Sequence, residues 1–173
     1  RLPDLLPLMQ TADARLLSVL KESLLRYPAD SIVPEAVSRM GNSSGPVKTV
    51  LLGILAEKGA VEHRVLFYAQ TDQKDEEVRT AALEGLALIS QPDDIALLFP
   101  LFQPERPARE KVALQNALLH AVASIENIEN KSEPFIHEIL SAEGKRRADL
   151  LRLLSDIGGI SALQTVRTEL KSE

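Results

Sequence analysis

Internal repetition constrains this chain more than any other feature. Four segments look alike: Pro46-Val47-Lys48-Thr49-Val50-Leu51-Leu52, Glu77-Val78-Arg79-Thr80-Ala81-Ala82-Leu83, Glu110-Lys111-Val112-Ala113-Leu114 and Arg146-Arg147-Ala148-Asp149-Leu150-Leu151. Each opens a stretch with apolar residues at helical spacing. Val47 and Val78 lie 31 positions apart, as do Leu83 and Leu114. Leu83 and Leu151 lie 68 apart, so one unit is several residues longer. The extra length is expected around Pro104-Glu105-Arg106-Pro107 and Ile125-Glu126-Asn127-Ile128-Glu129-Asn130. A recurrence of this length marks arrays in which one unit cannot bury its apolar face alone and closes it against the next.

The repeating unit reads as a pair of helices. Val78, Ala82, Leu83, Leu86 and Ile89 share one face at helical spacing. Asp75 is placed to cap that helix, and Glu76 and Glu77 suit its positive start. Ser44 before Gly45-Pro46 and Ser132 before Glu133-Pro134 read as two more starts, while Gly41, Gly59 and Gly158-Gly159 read as left-handed stops. The helices are expected at 4–10 and 12–26, 31–40 and 45–58, 60–70 and 75–89, 92–103 and 107–125, 132–142 and 145–157, with a last helix at 160–171. The corresponding units are 1–29, 30–59, 60–90, 91–128 and 130–158, within a single domain of 173 residues. Composition agrees: apolar residues make up 45% and aromatics only 3%, so the core must be Leu, Ile, Val and Ala. That mixture favours helix over strand, and no stretch offers a convincing strand alternation.

The segment Asp75-Glu76-Glu77-Val78-Arg79-Thr80-Ala81-Ala82-Leu83-Glu84-Gly85-Leu86 resembles a HEAT repeat of the bilin-lyase-like type, with an Asp, then Val-Arg three and four residues on, then an Ala/Leu helix. The resemblance runs weakly through residues 1–30 and strongly through 45–103. It implies an all-α fold, a right-handed α-α superhelix (α-solenoid) of about five HEAT-like helix pairs. It assigns Asp75 to capping and Arg79 to polar links between helices, with Lys48 and Arg147 in the Arg position of two other units. Arg109 is the nearest basic residue in the remaining unit, where the pattern fits less well. First helices of such repeats often carry a bending proline at mid-helix, the place expected of Pro7 and Pro100; Pro34 is expected nearer its helix start.

The side chains that carry chemistry do not assemble into a recognisable set. His63, His120 and His137 fall in three different helices, with no pair at the i, i+4 spacing of a helical zinc site. His120, after Leu118-Leu119, is expected partly buried. Asp75-Glu76-Glu77 and Asp93-Asp94 open helices, where acids complement the dipole, and no EF-hand spacing is present. Ser43-Ser44-Gly45 lacks the Gly-Lys-Ser/Thr end of a phosphate loop. No Gly-x-Ser-x-Gly elbow occurs, and there is no cysteine for a disulfide or thiolate metal site. Neither catalytic residues, a metal nor a cofactor is therefore expected.

Partners are read in the same way. A net charge of −5 and the absence of Trp argue against nucleic acid, and Lys145-Arg146-Arg147 with Arg152 is the one basic cluster. In this respect the chain departs from the HEAT-like DNA glycosylases. No apolar run approaches a membrane span, so membrane insertion is not expected, and either cytoplasm or periplasm would suit the chain. In HEAT arrays the second helices line the concave face. Five positions after the Lys/Arg site stand Gly53, Glu84 and Arg152, with Gln115 in the less regular unit, a ladder expected to form a contact surface. The expected function is non-catalytic: a scaffold for a protein or peptide partner, or for a neighbouring domain of the same chain. The alternative is an accessory domain positioning a larger multidomain enzyme, with the bacterial envelope as one setting. The start at Arg1 and the close on Glu169-Leu170-Lys171-Ser172-Glu173 read as a piece of a longer protein.

Overall fold

The computed structural model describes residues 2–169. Among these the chain is all-helical, with eleven α-helices and no strand. It divides into two compact units, residues 1–89 and 90–173. Residues 170 and 171 of the expected last helix lie outside the described residues.

The first unit holds three helix pairs: α1 (Leu2–Leu8) and α2 (Ala14–Leu24), α3 (Ala29–Met40) and α4 (Gly45–Glu57), α5 (Arg64–Tyr68) and α6 (Glu76–Ile89). A 3-10 turn, Val61–His63, leads into α5. The second helices lie side by side, with α4 between α2 and α6, while α1, α3 and α5 each pack on the second helix of their own pair. The composition of α4 follows from this placement. With neighbours on three sides it buries Val47, Leu51, Leu52, Ile54, Leu55 and Ala56, leaving only a narrow polar stripe. Asp13 caps α2 through the Leu16 amide at 2.8 Å, and Asp75 Oδ1 caps α6 through the amides of Glu77 at 3.0 Å and Val78 at 3.4 Å. At the other end, the Lys58 ammonium donates to the Leu25 carbonyl at 2.6 Å, tying the close of α4 to the close of α2.

The second unit holds α7 (Ile95–Leu101) with α8 (Ala108–Ala123), α9 (Ile128–Ser141) with α10 (Gly144–Ile157), and α11 (Ile160–Glu169). Here α8 packs on both α7 and α10, and α11 lies against both α9 and α10. Phe99 of α7 meets Phe135 of α9 edge to face, with ring centres 5.2 Å apart. A 3-10 turn, Pro92–Asp94, precedes α7, and buried Asp94 closes a capping box by accepting from the Gln91 amide at 2.7 Å.

Several local readings of the sequence require correction. Ser132 does not start a helix: it is buried inside α9, which begins four residues earlier because Asn127 caps it through the amides of Glu129 and Asn130. The stretch around Ile125–Asn130 is thus partly the first turn of α9 rather than wholly inserted loop. The prolines also trade places. Pro7 and Pro100 are next to last in α1 and α7, while Pro34 and Pro134 lie inside α3 and α9. Proline removes an amide donor from a helix interior. Both helices nonetheless continue through it, held by buried Ile32, Val33 and Ala36 in one and Phe135 and Ile139 in the other. Gly41 keeps a right-handed conformation, φ −63°. Gly59 and the Gly158-Gly159 pair do take positive φ, which lets the chain reverse after α4 and α10.

Candidate functional site

Where α2, α4 and α6 run side by side, their surface carries a groove. Its wider part, about 650 Å³, opens at the start of the three helices, between Ala12–Asp13, Pro46 and Asp75, with Leu17, Thr49 and Val50 below. A narrower part of about 200 Å³ continues along Gly53 and Ala56 to Glu84 and Leu88. Lys21 and Thr49 border both parts, so they form one path across the second-helix face.

Two glycines beside this path leave room for neighbouring side chains. A Cβ at Gly85 would stand 2.2 Å from Cε1 of fully buried Phe67, so α5 and α6 approach closely only because Gly85 has no side chain. A Cβ at Gly45 would fall 2.2 Å from Asp75 Oδ2. The Asp75 carboxylate therefore does two things: one oxygen caps α6, and the other rests against the start of α4. At Gly53 the space is filled by the end of Lys21, whose ammonium pairs with Glu57 Oε1 at 2.6 Å.

Of the expected ladder, Gly53 and exposed Glu84 come together in this groove. Gln115 is half-buried on α8, and Arg152 is 79% exposed on α10, 3.4 Å from Asp149, so both belong to the second unit. The expected polar positions take varied forms. Arg79 donates to the carbonyls of Gln73 at 2.7 Å and Lys74 at 3.1 Å, bracing the turn before α6. Lys48 is half-buried in the first turn of α4. Arg147 pairs with Glu169 at 2.6 Å, joining α10 to α11, and that hydrogen bond raises its pKa further. In the less regular unit Arg109 is exposed, and Arg106 is the bracing residue. It donates to the Leu101 carbonyl at 2.8 Å and to Glu110 at 2.9 Å, a carboxylate only 1% exposed.

Three of the four residues of the basic cluster on α10 have partners within the second unit, and Lys145 is exposed. Arg146 donates to the carbonyls of Phe99 at 3.0 Å and Phe102 at 3.2 Å and pairs with Glu138, while Arg147 and Arg152 face Glu169 and Asp149. The Arg146–Glu138 pair borders a second groove of about 640 Å³ on the α7/α9 side, edged by Pro92, Pro100 and Pro134. At the start of α11, Glu129 accepts from the amides of Ile160 at 2.8 Å and Ser161 at 3.1 Å. Its bond to the Ser161 side chain, then those to the two amides, hold its carboxyl below the ordinary glutamate value.

The histidines stay apart. His120 is exposed rather than partly buried, its Nδ1 2.9 Å from the Ser90 carbonyl; His137 is exposed, and half-buried His63 lies 3.6 Å from Glu62. Among the described residues no three His, Cys, Asp or Glu side chains gather as metal ligands, and no helix is long and apolar enough to cross a membrane. The sequence did not single out Lys21, Thr49, Leu17 or Val50. Only the packing of α2 beside α4 brings them to the groove, although a glycine inside an apolar helix, as at Gly53 and Gly85, signals close approach. No family model, curated protein or solved structure matches this chain.

Proposed function

We propose that this chain is a non-catalytic scaffold built of HEAT-like repeats, a right-handed α-solenoid of about five helix pairs, that binds a protein or peptide partner, or a neighbouring domain, on its second-helix face. The observation that carries this reading is the groove shared by α2, α4 and α6, which includes Gly53 and Glu84 from the repeat ladder. A continuous trough across successive repeats is the surface that stacked helix pairs offer to an extended ligand. The recurrence near 31 residues supports the solenoid half of the reading.

Two measurements test it. Photo-crosslinking side chains placed at Thr49 and Glu84, in cells of the source organism, should trap a partner that the same groups at Val65 and Leu140 on first helices do not. Trapping from the first-helix positions alone would overturn the assignment of the face. Small-angle scattering should give a radius of gyration above the ~16 Å of a compact globule of this length. A value at or below that figure would contradict a stacked array.

A further inference from the structure

The last helix of the second unit is held unlike its neighbours. Of the ten residues of α11 only Ala162 is buried, whereas α10 buries Leu150, Leu153 and Leu154 beside Asp149. Ile160 and Leu163 stay mostly exposed. Apolar burial therefore contributes little to the seating of α11 on α9 and α10, and its polar ties stand at its two ends. At its start the Glu129 carboxylate on α9 accepts from the amides of Ile160 at 2.8 Å and Ser161 at 3.1 Å. At its close the Glu169 carboxylate pairs with Arg147 on α10 at 2.6 Å. A segment with so few buried apolar contacts opens ahead of the core beside it.

The place that α11 fills is selective. Glu129 requires free amides at the start of a helix. Arg147 requires a carboxylate nine residues farther on, about 14 Å along the axis. Every copy of this chain carries one helix with that pattern. The joint before α11 also allows it to leave. Gly158 and Gly159 both take positive φ, 80° and 102°, and glycine crosses to negative φ at little cost. Such a change at Gly158 swings α11 away from its own α9 and α10. A helix exchanged between two identical chains makes the contacts it makes at home, so the joint alone separates the two states.

We propose that α11 is an exchangeable segment through which two copies of this chain join: each opens at Gly158 and lays its α11 between Glu129 and Arg147 of the other copy.

Two charge-reversed chains test this. Arg147→Glu sets a like charge against the native Glu169, and Glu169→Arg sets one against the native Arg147. Either variant alone repels at this contact, whether α11 stays at home or is exchanged with an identical copy. In an exchanged dimer of one variant with the other, the new carboxylate at position 147 meets the new guanidinium at position 169, and native Arg147 meets native Glu169. The mixture should therefore form a one-to-one dimer, seen by native mass spectrometry and light scattering, at least about tenfold more tightly than either variant with itself. No mixed dimer, or a dimer formed equally by either variant alone, would overturn the proposal. Gly158→Val in the otherwise unchanged chain tests the joint, and it decides the matter if the charge reversals unfold the unit. A β-branched residue avoids a φ of 80° and suits extended chain, and a Cβ there would meet only Ile128 Cδ1 at 3.8 Å. This variant should dimerise at least about tenfold more tightly than the parent. A Gly158→Val chain that stays as monomeric as the parent would equally overturn the exchange.

Discussion

In the first unit Phe67 presses on the backbone of Gly85 with no room for a Cβ. In the second, Arg146 reaches from α10 to two carbonyls at the end of α7 and to Glu138 on α9. Both units pack their helices in pairs, yet the α4–α6 seam and the surroundings of α10 are held by contacts of different kinds. α4 and α6 meet through Leu, Ile, Val and Ala, with Gly45 making room for Asp75 at that seam and Gly85 admitting Phe67 from α5. The second unit adds Arg106–Glu110, Arg147–Glu169 and the Glu129 clasp on α11 to a smaller apolar core. Apolar contact is non-directional and tolerates no extra volume. Charged links tolerate volume but demand that every partner be present.

Phe67→Ala should expose this contrast most strongly. It leaves a cavity in the tighter unit and should cost about 3–5 kcal/mol in urea unfolding followed by circular dichroism. A loss below about 1 kcal/mol would mean that α5 contributes little to the first unit. Next comes Glu110→Ala, which removes the carboxylate paired with the Arg106 guanidinium, itself only 17% exposed. The expected cost is about 2 kcal/mol, with Glu110→Gln costing less because a hydrogen-bond acceptor remains. If both are neutral, the second unit does not depend on its charged links.

Gly85→Ala separates propensity from packing. Helix propensity alone predicts a gain of up to about 1 kcal/mol. The Phe67 ring in the way predicts a loss of about 1–3 kcal/mol, and the loss should win. Pairing it with Phe67→Leu should recover part of that loss. A single variant more stable than the parent would refute the close-approach role of Gly85.

The gentlest probe is pH. The native carboxyl of Glu129 sits below its ordinary value of 4.5. Its contribution to holding α11 is therefore fully present above about that pH and disappears as pH falls through the lowered native value. Hydrogen-exchange protection at the Ile160 and Ser161 amides should fade on acidification ahead of protection within α4, and Glu129→Gln should remove the pH dependence. Protection that stays constant through this range would leave the clasp without a role.

The helices were readable from the sequence because their signals are local and redundant: apolar spacing, Asp75 at a cap, glycines after α4 and α10. The polar braces were less so. Arg79 lies within its helix, as the repeat pattern expects, but Arg106 does the corresponding work from the loop before α8, and no spacing rule predicts that substitution in space. Ser132-Glu133-Pro134 looks like a helix start because proline suits a first turn. Packing around Phe135 and Ile139 carries the helix through it instead. The groove was half visible. Gly53 and Glu84 follow from the ladder, whereas Lys21 and Leu17 come from the irregular first thirty residues, whose match to the repeat is weakest.

The reach of Arg146 also bears on synthesis. The carbonyls of Phe99 and Phe102 receive their guanidinium partner from 47 and 44 residues farther along the chain. At about 5–20 residues per second, roughly 2–9 seconds of translation separate the emergence of these carbonyls from that of Arg146. The nascent end of α7 stays hydrated through that interval, and the polar frame of the second unit closes only once α10 has left the ribosome.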